Sequence, residues 1–151
     1  MQYAWKDGAR TGGLDAGKVG AVLDRINRRD GVVTADAVLR EGRKKRSPLH
    51  SWFEWDETEA AHQYRLIQAR SLVRSITVNI LGADDEEITV RAFVHIEDDH
   101  GYEDVHTVLS TVDRRALLLV RVLGELQQVR RKYADIEELA AVFAAIDEAA
   151  A

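Results

Sequence analysis

The sequence predicts an α+β fold that is mostly helical, with an amino-terminal helix-turn-helix-like part, one antiparallel β-hairpin and a carboxy-terminal helical hairpin. Three observations predict it. Apolar residues recur at three- and four-residue steps over the first and last thirds of the chain. Between residues 76 and 96 the period drops to two, on either side of a Gly-Ala-Asp-Asp-Glu-Glu turn. Ser47 to Asp56, reading SPLHSWFEWD, gathers the only proline, two of the three tryptophans and one of the three phenylalanines. Aromatics at that density have to be packed, since each buries on the order of 150–250 Å².

Residues 1–13 contain Gly8, Gly12 and Gly13 and no sustained period, so they are expected to form a flexible arm with Tyr3 and Trp5 as anchors. The remainder, 14–151, is expected to be a single domain with a basic helical part (14–74) followed by an acidic hairpin and helices (75–151). A first helix over 14–29 follows from the stripe Val19, Val22, Leu23 and Ile26, and Asp30-Gly31 ends it. A second, over 34–42, starts from Thr34 as cap and stops at Gly42. Trp52, Phe53, Trp55 and Asp56 then form a structural junction, in which Asp56 and Glu59 make a capping box for a helix over 57–74. That helix is apolar on two faces, through Tyr64 and Ile67 on one and Leu66, Ala69 and Val73 on the other, which predicts a central position. Alternation predicts strands at 76–81 and 88–96. Helices at 113–133 and 135–148 follow from heptad-like steps through Val112, Leu119, Val122, Leu126, Val129 and Tyr133, and from an Asp135/Glu138 capping box. An intramolecular partner or a second subunit would satisfy that seam equally well, so a homodimer is a candidate state.

Composition narrows the setting. With 151 residues, 46% of them hydrophobic, the chain can build a real core. The absence of cysteine excludes disulfides, thiolate zinc sites and a cysteine nucleophile. No apolar stretch opens the sequence, so a cytoplasmic location is expected. Apolar runs such as Ala116 to Val120 fall far short of the roughly 20 residues that span a bilayer, so no membrane partner is expected. The net charge of −5 hides an asymmetry: residues 1–74 carry 14 basic and 10 acidic side chains, residues 75–151 carry 7 and 16. Only the first half could meet a polyanion.

The candidate nucleic-acid-binding set is therefore Arg25, Arg28, Arg29, Arg40, Arg43, Lys44, Lys45 and Arg46. Carried on two short helices and the segment after them, these residues could neutralise phosphates of duplex DNA, with Trp52 or Trp55 stacking or anchoring. Helix-turn-helix proteins combine such charges with a second helix in the major groove. A solvated charged face explains the same residues as well.

Other patterns are weaker. Gly12-Gly13-Leu14-Asp15-Ala16-Gly17-Lys18-Val19 misses a phosphate-binding loop at Val19, where a hydroxyl is needed, and no strand is predicted before it. His95, His100 and His106 lie with Asp98, Asp99 and Asp104 around an acidic turn that could suit a divalent metal but lacks EF-hand spacing, so a solvated turn is expected and no metal or cofactor is assigned. His50, Glu54 and Asp56 could be drawn as an acid-base set, but no nucleophile or pocket accompanies them, and the chain is not expected to be an enzyme.

The run SPLHSWFEWDETEAAHQYRLIQARSLVRSI, residues 47–76, resembles a group of uncharacterised proteins encoded by bacteriophages and prophages, in which SPLH, FEWD, AA, YR and QAR recur before a strand. The stretch GELQQVRRKYADIEELAAVFAAID is similar to the end of those proteins. The resemblance implies a phage setting in a bacterial host and transfers no catalytic residue. Two functions fit it: a small accessory protein that binds DNA through the basic helices, or a non-enzymatic interaction or assembly factor acting on a phage or host protein.

Overall fold

The computed structural model describes residues 1–55, 58–97 and 100–151. The fold is α+β and mostly helical, and it divides into two compact units, Met1–Thr107 and Val108–Ala151.

In the first unit, α1 (Ala16–Asp30) buries the expected stripe of Val19, Val22, Leu23 and Ile26. Asp15 caps it by accepting from Lys18 N at 2.8 Å, and Gly31 closes it at φ 75°, a left-handed conformation that glycine adopts without strain. Thr34 caps α2 (Ala35–Arg43), accepting from Ala37 N at 3.1 Å. After a short 3-10 helix (His50–Trp52) comes α3 (Glu59–Ser75). Its cap is Thr58, which accepts from Ala61 N at 3.2 Å, so the helix begins two residues later than the expected start at 57. Asp56, expected to be that cap, lies with Glu57 outside the described residues.

The arm is not free along its length. Tyr3–Trp5 forms β1, which pairs antiparallel with β2 (Ile76–Leu81), and β2 pairs with β3 (Glu87–Arg91), giving a three-stranded sheet in the order β1-β2-β3. Trp5 Nε1 also donates to Leu14 O at 3.0 Å. Tyr3 lies flat on Gly20 of α1, where a side chain would collide with its ring. The periodicity gave no sign of this strand, because three residues are too few to show one.

The expected strand over 88–96 changes partner at Ala92. Because α3 runs to Ser75, β2 has no residue before Ile76 with which to extend its ladder beyond Thr77↔Arg91. Ala92 N donates to Ile76 O at 3.0 Å, and the chain continues as β4 (Phe93–His95), paired with β5 (Tyr102–Asp104). Tyr102 in turn exchanges two 2.7 Å backbone hydrogen bonds with Val33, which fastens the α1–α2 connection to β5. Gly101, at φ 95°, permits that approach, since a Cβ there would sit 2.7 Å from Val33 O.

The aromatic junction packs within this unit. Phe53 is buried against Gly42 of α2, where a Cβ would lie 2.6 Å from its ring. Trp52 Nε1 donates to Gln68 O at 3.1 Å, and Gln68 Nε2 returns a bond to Trp52 O at 2.9 Å, joining the 3-10 helix to α3. Trp55 stacks on His50 at 5.0 Å, with Arg43 and Arg65 placed over its ring at 5.7 and 5.6 Å. His50 Nδ1 donates to Gly42 O at 2.7 Å, satisfying a carbonyl at the end of α2.

The second unit takes in the end of α4 (Val105–Ser110), all of α5 (Val112–Lys132), a 3-10 turn (Glu137–Leu139) and α6 (Ala140–Ala149). The expected helix from 135 is thus two pieces: Asp135 and Glu138 form no capping box, and α6 follows Leu139 without a side-chain cap. Arg130 joins α5 to α6, with Nε 2.7 Å from Asp147 Oδ1 and its guanidinium 6.0 Å from the Phe143 ring centre.

Phe53 is the plug between α2 and the segment that leads to α3. Phe53→Ala is expected to cost about 3–5 kcal/mol, and Gly42→Ala to destabilise by forcing the same ring from its place. Urea denaturation checks both; wild-type midpoints in both variants would show that the ring carries no packing load.

Candidate functional site

The fold gathers five of the eight candidate cations. The end of α1 and the end of α2 lie side by side, and Glu41 points from α2 into the space between them, only 6% exposed. It accepts from Lys44 Nζ at 2.8 Å and from Arg29 Nη1 at 3.2 Å. Around this carboxylate Arg25, Arg29, Lys44 and Arg46 line an open cavity of about 450 Å³, together with Ser47 and Pro48. A second, of about 250 Å³, lies between Arg29, Asp30, Arg40, Glu41 and Lys44. Five cations thus share two carboxylates, leaving an excess of three positive charges at the surface between the two helix ends.

The other three cations are placed elsewhere. Arg28 pairs with Asp24 at 2.6 Å, Arg43 lies over Trp55, and Lys45 is exposed in the turn after α2. The second helix is also poorly shaped to enter a groove. Ala37, Val38, Leu39, Glu41 and Gly42 are buried, and what α2 shows to solvent is the narrow stripe Asp36, Arg40 and Arg43. The helix-turn-helix-like order is present, but its second helix serves the core.

The Glu41 carboxyl is held below the usual carboxylate range, first by its hydrogen bond from Lys44 and then by Arg29 and Arg25, against the opposing effect of burial. Asp30 is lowered too, chiefly by the hydrogen bond from Arg29. The centre of the cluster is therefore an ionised carboxylate that organises its cations, a role that counting charges missed. The signal that could have shown it is the Glu41/Lys44 pair at i,i+3 near the end of a helix.

The remaining candidates take structural parts. Asp15 occupies the start of α1, so the amides that a phosphate-binding loop would offer already face a carboxylate. His95 stacks on Tyr102 at 5.0 Å, and Asp104 accepts from Thr107 N at 3.0 Å. Among the described residues no group of three or more His, Asp or Glu side chains is placed to hold a metal, and Asp98 and Asp99 lie outside those residues. Likewise, no helix among them is long and apolar enough to cross a membrane.

A second surface stands out by its chemistry. No residue of α5 is buried along its 21 residues. Its heptad seam is open to solvent, from 38% exposure at Leu126 to 82% at Val112, with Leu119, Val122, Val129 and Tyr133 between those limits. The intramolecular partner that would have closed the seam does not cover it: α6 buries only its own Phe143 and Ile146.

Comparison with known protein families, curated proteins and solved structures gives no match.

Glu41 supplies a pH test of the cation cluster. Since its folded pKa is depressed, the stability it contributes is present above its ordinary pKa of 4.5 and is lost as pH falls through the lower folded value. Glu41→Gln should be less stable than wild type near neutral pH and should lose less on acidification. Denaturation midpoints at about pH 7 and about pH 3 would show the gap between the two proteins narrowing; a constant gap would mean that the carboxylate does not organise the cluster.

Proposed function

We propose that this chain is a non-enzymatic interaction or assembly factor, which works by presenting the α5 seam to another protein chain in the cytoplasm of a phage-bearing bacterial cell. The phage setting rests on the resemblance of residues 47–76 and 124–147. The observation that carries the interaction reading is the bare seam of α5. Large apolar side chains at three-four spacing lose roughly 25 cal/mol per Å² while they stay in water, and contiguous exposed apolar surface of this kind marks interaction sites.

Duplex DNA is the second reading, favoured by Arg25, Arg29, Lys44 and Arg46 around one cavity. The carboxylates within the cluster and the burial of α2 weigh against groove recognition, so this reading amounts to phosphate contact without base readout.

Two measurements separate the readings. A photo-crosslinking residue at Val122 should form adducts with protein in the infected host, whereas one at Asp36 should not; absence of protein adducts at 122 would reject the interaction reading. Against a random duplex, replacing Arg25, Arg29, Lys44 and Arg46 by alanine should lower the salt slope by about 0.9 for each phosphate that is no longer neutralised. A wild type that binds no duplex at low salt would reject the DNA reading.

A further inference from the structure

The chemistry of the seam points to its occupant. Val112, Leu119, Val122, Leu126, Val129 and Tyr133 are separated by 7, 3, 4, 3 and 4 residues, which is the repeat of a coiled-coil core with Val112, Leu119, Leu126 and Tyr133 at a and Val122 and Val129 at d. A groove built for an irregular peptide has no need of such spacing. A strict seven-residue repeat is matched by another helix with the same repeat, whose side chains enter the holes between these. The described part of this chain offers α5 no such helix, because α6 turns Phe143 and Ile146 inward.

We infer that the seam is closed by α5 of a second copy of this chain, in a parallel two-helix pairing with the two hairpins related by a two-fold axis. The inference rests on the interaction reading given above and names its partner. Charge supports a second copy. In this register Glu125, which meets Arg121 of its own helix at 3.4 Å, falls at g, and Arg130, which meets Asp147, falls at e, so a parallel pair would add each Arg130 to a Glu125 of the partner subunit as a shared charge network. The second unit as a whole carries six basic and seven acidic side chains, so two copies meet without net repulsion. The basic end of α5, Arg130, Arg131 and Lys132, is followed by Asp135, Glu137 and Glu138, which offset the cations that a parallel pair would bring together. Arg115, the remaining d residue within the helix, sits near the start of the seam, where its stem can cover apolar surface while the guanidinium stays in water.

Exposure supports it too: all six seam residues are at least 38% exposed, so a second copy would take large apolar side chains out of water along the whole seam.

Sedimentation equilibrium of the full chain tests the inference. Wild type should move from 17.0 kDa toward twice that mass as concentration rises. Leu126→Glu should weaken association at least tenfold, and the uncharged variant Leu126→Asn should also weaken it, with far-UV circular dichroism at low concentration unchanged because Leu126 is not a core residue. Since the chain has no cysteine, a single Leu126→Cys substitution should yield a disulfide-linked dimer on mild oxidation. A wild type that remains a monomer at every concentration overturns the inference, as does a dimer that Leu126→Glu leaves intact. If the protein is a monomer while a crosslinker at Val122 captures a different polypeptide, the second-copy inference fails and the interaction reading stands. A monomer with no adduct ends both.

Discussion

Apolar side chains gain about 25 cal/mol for each Å² that leaves water, and the two units of this chain meet that requirement by different routes. In Met1–Thr107 the requirement is met internally: Val19, Leu23, Ile26, Leu49, Leu72 and Phe93 are fully buried, along with the β2 residues Ile76 and Val78. In Val108–Ala151 it is not met. A hairpin of one long and one short helix has room for little more than Phe143 and Ile146, and no residue of α5 is buried. A unit this small buries only part of its apolar surface, so much of the α5 seam stays in water.

Within the first unit, local rules and close packing agree. Side-chain caps at Asp15, Thr34 and Thr58 start the three helices, and Gly31 stops the first. Gly20 and Gly42 then let aromatic rings lie directly on helix backbones, Tyr3 on α1 and Phe53 on α2. Once α2 is held by Phe53, by the His50 bond to its last turn and by the Val33–Tyr102 bridge at its start, the ends of α1 and α2 are fixed side by side. The convergence of cations on Glu41 follows from that placement.

Much of this was legible in the sequence because it rests on short-range pattern. The α1 stripe, the Thr34 cap, the β2–β3 hairpin and the aromatic junction are all periodicities or local compositions. What was not legible depended on contacts distant in sequence. β1 exists because Tyr3–Trp5 finds β2 more than seventy residues later, and β4 leaves the hairpin because α3 runs directly into β2. The start of α3 lies two residues beyond the expected one, because Thr58 supplies the cap and is, like Asp56, a favoured cap residue by type. Of the eight basic candidates, the five that cluster and the three that do not are told apart only by their acidic neighbours, Asp24, Asp30 and Glu41, and by Trp55. The heptad pattern marks α5 as a seam, but sequence gives no means of telling whether a helix of the same chain covers it.

The central claim, that the α5 seam is closed by another chain, is tested most directly by amide hydrogen exchange along 119–133 at two protein concentrations. The account predicts fast exchange when dilute and strong protection when concentrated, confined to that helix and its hairpin, with the first unit equally protected in both. Fast exchange at both concentrations would show that the seam stays open. Equal protection at both would show that the chain covers it by itself, and either result would contradict the account.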